Sequence, residues 1–208
     1  MQSLENALVC VIDDDDSVRR SLTRLFRSVR VAVDAFDSAE DYLRRVAHDG
    51  PVCLVLDVQM PGLGGLELQQ ALADRAAQIV FLTGRGDVPM CVSAMKAGAV
   101  DFLTKPVDDE KLLAAVERAL NRSQETRKVS AERSAARARL DTLTPREFEV
   151  MKGVVAGLLN KQIAAELGAA EKTVKIHRGR VMEKMCVHSV ADLVRVAQIA
   201  AVTPAAGG

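Results

Sequence analysis

The sequence predicts an α/β architecture, a doubly wound five-stranded parallel sheet, joined by a helical linker to a smaller all-α domain of four helices. Three observations predict it. Short apolar runs of four to six residues alternate five times with helix-period segments over residues 7–120, the pattern of a parallel sheet covered on both faces. Beyond residue 142 the strand signals stop, and only helical spacing and helix caps remain. The charge divides in step with this change. Residues 1–120 carry 13 Lys and Arg against 19 Asp and Glu, a net of −6, whereas residues 121–208 carry 15 against 9, a net of +6. An acidic part joined to a basic part points to two domains, the second suited to nucleic acid.

Ala7 to Ile12 (ALVCVI) is a buried strand that ends in four consecutive aspartates, Asp13 to Asp16. Ser17 is the expected N-cap of a helix whose apolar residues Val18, Leu22, Leu25, Phe26 and Val29 share one face. Val31 to Phe36 is the second strand, and Ser38 caps the next helix with Asp41 three residues on. Gly50-Pro51 breaks the chain before CLVLDVQMPG, residues 53–62, in which an apolar run ends at a single carboxylate, Asp57. Gly62, Gly64 and Gly65 lead into a helix from about Leu66 to Ala73. Gln78 to Thr83 is the fourth strand, with Gly84 and Gly86 in the loop behind it, and Val88 to Ala97 is helical up to Gly98. Val100 to Leu103 is the fifth strand, followed by Thr104-Lys105-Pro106 and a helix from about Asp108. Right-handed crossovers leave few topologies for five such strands, and the flavodoxin-like order is the commonest.

Residues 121–141 turn to Arg, Ala, Ser and Glu without Gly or Pro, so they extend the preceding helix or form a semi-rigid linker. Thr144-Pro145-Arg146-Glu147 combines a Thr N-cap, Pro at the first helical position and Glu at the third. Phe148, Met151, Val155 and Leu158 form the apolar stripe of that helix. A short helix from Asn160 to Leu167 stops at Gly168, a longer one spans Glu171 to Met185, and Ser189 caps a last helix to about Ala201. The tail from Thr203 to Gly208 reads as disordered.

Composition narrows the function. Cys10, Cys53, Cys91 and Cys186 make no C-x-x-C pair, which argues against zinc and against a disulfide framework. The chain opens without a secretory signal pattern and contains no apolar stretch of the ~18–20 residues that span a membrane, so no membrane association and a cytoplasmic location are expected. In a doubly wound sheet the strand ends converge on one crevice. Here those ends bear Asp13 and Asp14 on the first strand, Asp57 on the third and Thr83 on the fourth, with Lys105 after the fifth. Three packed carboxylates repel one another and call for a divalent cation, and hard oxygen ligands favour Mg2+. A cation, an ammonium and a hydroxyl around one carboxylate make Asp57 a phosphoryl acceptor.

Through VIDDDD, LDVQMPG, LTG and LTKP in this order, residues 7–120 resemble the receiver domain of bacterial two-component response regulators. The resemblance implies phosphorylation of Asp57 by a sensor histidine kinase, with Asp14 a direct magnesium ligand, Asp13 acting beside it through water, and the Gln59 carbonyl a third protein ligand beside Asp57. It implies that Thr83 and Lys105 contact the phosphoryl group and that Phe102 is the aromatic switch, which turns inward when the threonine moves; Phe102 also reads as an ordinary core residue. GRGDVPM and MKAGAVDF (residues 84–90 and 95–102) look like the FixJ/NarL type. Val107 departs from the Phe of many relatives.

Residues 142–201, within an expected DNA-binding domain of residues 142–208, resemble a LuxR-type helix-turn-helix through LTPRE, GLLNKQIAAELG and EKTVKIHRGRVMEKM. A short helix, a Gly turn and a second helix with basic residues near its start suit the major groove. Val174, Val181 and Met185 should pack inward, leaving Lys175 and Ile176 for base edges and Lys172, Arg178, Arg180, Asn160 and Lys161 for phosphates. Thr173 completes the expected DNA-facing set. His177 reads as a packed core histidine. Gly179 stands where family members often carry a larger residue, and it either removes a base contact or lets the backbone sit close to DNA.

The expected whole is a response regulator that dimerises on phosphorylation, binds promoter DNA and meets RNA polymerase. Its receiver, residues 1–120, would catalyse only its own phosphoryl transfer and slow dephosphorylation. One alternative is a constitutive DNA-binding protein whose receiver is only a dimerisation scaffold. Another, an aspartyl-phosphate hydrolase, needs a second carboxylate two residues after the nucleophile, where this chain has the amide Gln59.

Overall fold

A computed structural model describes residues 6–73, 76–84 and 88–202. Gly86 of the expected loop and the Thr203–Gly208 tail lie outside the described residues. The chain forms two compact units, Met1–Arg127 and Lys128–Gly208.

The first unit is built on five strands, β1 (Leu8–Ile12), β2 (Ala32–Phe36), β3 (Val52–Asp57), β4 (Gln78–Thr83) and β5 (Asp101–Thr104), all parallel in the order β2-β1-β3-β4-β5. That is the flavodoxin-like order, whose chain reversal between β1 and β3 opens a crevice at the carboxyl ends of the strands. The helices are α1 (Asp16–Ser28), α2 (Ala39–Arg44), α3 (Gly65–Ala71), α4 (Val88–Lys96) and α5 (Asp109–Leu140). Side chains alternate across each central strand. Cys10, Ile12, Leu54, Leu56 and Phe81 pack with Tyr42, Leu68 and Ala94 of α2, α3 and α4. Val9, Val11, Cys53, Val55, Val80 and Leu82 pack on the other face with Leu22 and Phe26 of α1 and Leu112, Val116 and Leu120 of α5. This two-faced burial explains why β1 is apolar throughout and β3 is apolar up to its last residue, Asp57.

Two local expectations need correction. The N-cap of α1 is Asp15, whose carboxylate accepts from the Ser17 N–H at 2.8 Å, so Ser17 is helical and the helix starts at Asp16. The fifth strand begins at Asp101 rather than Val100 and runs to Thr104, paired with Thr83.

Helix α5 is continuous to Leu140 and crosses the boundary between the units. Buried Ser123 accepts from the Val52 N–H at 3.0 Å, and Arg127 donates to the carbonyls of His48 and Asp49. Residues 128–135 are exposed on every side.

The second unit contains α6 (Pro145–Val155), α7 (Asn160–Glu166), α8 (Glu171–Lys184) and α9 (Val190–Ile199) around Met151, Val154, Ile163, Val174, Val181, Met185 and Leu193. The Thr144 cap and its reciprocal Glu147 bond are both formed. The α6 stripe is wider than its predicted form. Val150, Met151 and Val154 are fully buried, while Phe148, Val155 and Leu158 flank them half-buried, because α6 packs against α7, α8 and α9. Among the described residues no helix is long and apolar enough to cross a membrane.

Candidate functional site

The four consecutive aspartates divide their work. Asp13 continues from β1, its N–H bonded to the carbonyl of Phe36, and its side chain is almost wholly buried. Asp14 is exposed beside it, Asp15 caps α1, and Asp16 pairs with Arg19 and Arg20 in the first turns of the helix. Asp13, Asp14 and Asp57 each bring one carboxylate oxygen within 4.8 Å of the others. Their separation in sequence is closed by the β1–β3 pairing, which sets Ile12 against Leu56.

Lys105 ties this cluster together. Its Nζ donates to Oδ2 of Asp13 at 2.6 Å and to Oδ2 of Asp57 at 2.7 Å, and its N–H donates to the Thr83 carbonyl at 2.7 Å. The Lys105–Pro106 peptide is cis. Burial pushes the Asp13 carboxyl above its usual range, although the hydrogen bonds from Lys105 and the Asp15 N–H pull it back. For Lys105 the loss of hydration works against the charged form, but the two carboxylates outweigh it and raise the ammonium above the usual lysine value.

The β3–α3 loop is held by backbone and carboxylates. Oδ1 of Asp57 accepts from the Gln59 N–H at 3.2 Å, and Gln59 is itself exposed. Glu40 of α2 accepts from the Leu63 N–H, and Glu67 of α3 accepts from the Gly64 N–H. Gly65 begins α3 directly against β3, and a Cβ there would run into the Asp57 carbonyl oxygen. Thr83 is fully buried at the end of β4. Phe102 is half-buried on β5 in register with Phe81, the two rings 6.0 Å apart. Asp13, Asp14, Asp57 and Lys105 are thus brought together, with Thr83 at the same sheet edge. Phe102 lies two residues behind Thr83 in the β4–β5 register, packed half-buried against the core.

In the second unit, Val174, Val181 and Met185 of the α8 segment are fully buried, as their spacing predicts. Lys172, Thr173, Lys175, Ile176, Gly179 and Arg180 are exposed, Ile176 to 51 %. Arg178 is half-buried and donates to Oδ1 of Asn160 at 3.0 Å, so these two act as a pair across α7 and α8. Lys161 is exposed at the start of α7. His177 is half-buried, consistent with a packed histidine, but its Nδ1 is buried without a hydrogen-bond partner. Lys184, which no sequence signal marks, donates to the buried Glu147 carboxylate at 2.6 Å and holds that acid down to about 2.

Two family descriptions match the chain, the response regulator receiver domain over residues 9–117 and the bacterial regulatory proteins of the luxR family over residues 141–197. The chain belongs to the response regulators. Nodulation protein W of Bradyrhizobium diazoefficiens is 52 % identical over 194 residues, covering 92 % of this chain and 86 % of the relative. Transcriptional regulatory protein FixJ of Azorhizobium caulinodans is 45 % identical over 203 residues, covering 97 % and 96 %. Among solved structures, response regulator StyR superposes with a TM-score of 0.83 at 44 % identity over 93 % of this chain and 98 % of its own. Full-length FixJ from B. japonicum superposes with a TM-score of 0.54 at 40 % identity over 96 % and 98 %. This response regulator therefore joins a flavodoxin-like receiver to a LuxR-type DNA-binding domain, a pairing that implies a kinase and DNA as its partners.

Proposed function

We infer that this response regulator is a transcription factor switched by phosphorylation of Asp57. A carboxylate oxygen of Asp57 attacks the phosphorus of a phosphohistidine on a sensor histidine kinase. The new O–P bond forms as the N–P bond breaks, and the histidine nitrogen leaves with the bonding pair. The observation that carries this reading is the placement of the Lys105 ammonium between Asp13 and Asp57 with Asp14 alongside, at the carboxyl edge of a receiver sheet.

The donor set fits a magnesium ion. Three carboxylate oxygens lie within 4.8 Å, one carboxylate is exposed for entry, and all the donors are hard oxygens. Asp14 and Asp57 would bind it directly, Asp13 through water and Gln59 through its carbonyl. When bound, the ion balances negative charge on the phosphoryl oxygens. Lys105 neutralises a further phosphoryl oxygen, and the Thr83 hydroxyl moves toward another. Phe102 follows Thr83 and reshapes the surface from about Val88 to Leu103. Val88, Val92 and Met95 of α4 are exposed and spaced on one face, an apolar strip against which a second copy would pack.

On this reading residues 1–120 are the phosphoacceptor domain, 121–141 the helical linker and 142–208 the DNA-binding domain. The receiver performs no chemistry beyond its own phosphorylation and slow dephosphorylation. Lys175 and Ile176 read base edges. Lys161, Lys172, Thr173, Arg180 and the Asn160–Arg178 pair grip the phosphates, and Gly179 leaves the backbone close to DNA. The protein works in the cytoplasm, and its bound dimer meets RNA polymerase at the promoter.

The test treats the full chain with acetyl phosphate and magnesium, then measures intact mass and binding to promoter DNA. The expected result is one phosphoryl group gained, tighter DNA binding, and loss of both in Asp57→Asn. A mass gain that survives Asp57→Asn rules the reading out. A mass gain with unchanged DNA binding leaves the receiver as a scaffold only.

A further inference from the structure

Two adjacent arginines follow the aspartate run, and they behave differently. Arg20 pairs with Oδ2 of Asp16 at 2.8 Å with its side chain 71 % exposed. Arg19, 17 % exposed, reaches back six residues. Its Nη1 donates to the backbone carbonyl oxygen of Asp13 at 2.7 Å, and its Nη2 lies 3.3 Å from Oδ1 of Asp16.

That carbonyl belongs to the peptide joining Asp13 to Asp14. A peptide unit is planar, so a hydrogen bond to its oxygen restrains the plane that contains the N and Cα of Asp14, the atoms from which its side chain departs. Asp13 is already held by its other polar atoms. Its N–H donates to the Phe36 carbonyl at 3.3 Å, Oδ1 accepts from the Asp15 N–H at 3.0 Å, and Oδ2 accepts from Lys105. Asp14 is exposed, so its aim toward Asp57 depends on the backbone that carries it.

We propose that Arg19 is a positioning residue of the metal site, clamping the Asp13–Asp14 peptide so that both carboxylates face Asp57. The inference rests on the magnesium reading above. It differs in sign from a simple charge effect. Removing a cation near a divalent site by Coulomb's law strengthens metal binding, whereas losing a clamp on the ligands weakens it, typically by 10–100-fold.

The experiment titrates magnesium chloride into the phosphate-free full chain by isothermal calorimetry, with far-UV circular dichroism confirming the fold of each variant. Arg19→Ala is expected to weaken magnesium binding by about 10–100-fold. Arg19→Lys, which keeps the charge but lacks the fork, falls between it and the unaltered chain. Arg20→Ala removes the same charge from the same helix and leaves the affinity unchanged or slightly tighter. Equal or tighter binding by Arg19→Ala overturns the inference. If that variant does not fold, Arg19→Lys decides, since binding at the unaltered level overturns it equally. A chain that binds no magnesium before any substitution overturns the metal reading, and this inference with it.

Discussion

The Lys105 ammonium lies 2.7 Å from Oδ2 of Asp57 and bridges to Asp13 at 2.6 Å, so one positive charge is shared by two buried carboxylates at the ends of β1 and β3. Replacing it with methionine leaves both acids without their shared partner. Lys105→Met should destabilise the receiver by about 1–3 kcal/mol in magnesium-free buffer. Added magnesium should restore more stability to this variant than to the parent, because the ion takes over the missing charge. Urea unfolding with and without the metal measures both effects.

Gly65 is required by close approach. An added Cβ would collide with the Asp57 carbonyl oxygen and stand 3.1 Å from both Phe81 Cε1 and Val58 Cα. Since backbone cannot yield as a side chain can, Gly65→Ala should cost about 1–3 kcal/mol. It should also slow phosphorylation by acetyl phosphate, because the collision falls on the residue that carries the reactive carboxylate. Gly65→Ser should behave in the same way.

Glu147 supplies a pH dependence to the DNA-binding unit. Lys184, followed by the Thr144 N–H, holds its carboxyl near 2, against about 4.3 for an unfolded glutamate. A depressed acid contributes stability that is complete above the unfolded value and is lost as pH falls through the folded one. Thermal unfolding of the parent should therefore weaken relative to Glu147→Gln between about pH 4.5 and pH 2. The difference between the two should be largest and constant above pH 5.5. A difference that does not change with pH would show that the carboxylate charge is immaterial.

Gly179 of α8 is exposed, and a Cβ there meets nothing within 4 Å. Gly179→Ala should stabilise the DNA-binding unit by roughly 0.5–1 kcal/mol, raising its melting temperature by several degrees. Weaker promoter binding by this more stable variant would locate the glycine backbone against DNA. Unchanged binding would place it off the interface.

Much of the fold was legible because its signals are local. β1 and β3 announce themselves as apolar runs, and Thr144-Pro145-Glu147 marks the α6 start within four residues. The acidic site was legible for a topological reason, since parallel strands with right-handed crossovers must bring their ends to one edge. The register within Asp13–Asp16 was harder to read. Four identical residues carry no local distinction, and the choice was made by the Phe36 carbonyl on one side and the Ser17 N–H on the other. Arg19 carried no sequence signal because its partner is a backbone carbonyl, which every residue offers.

The two architectures, the order of the strand ends and the residue types that meet there follow from local signals, because periodicity, caps and crossovers act over short stretches. Packing alone sets which carboxylate oxygens Lys105 bridges, that Asn160 is engaged by Arg178, and that Lys184 reaches Glu147 across 37 residues. Those contacts depend on distances of a few ångströms between elements far apart in the chain, and such distances are set by how whole helices and strands pack.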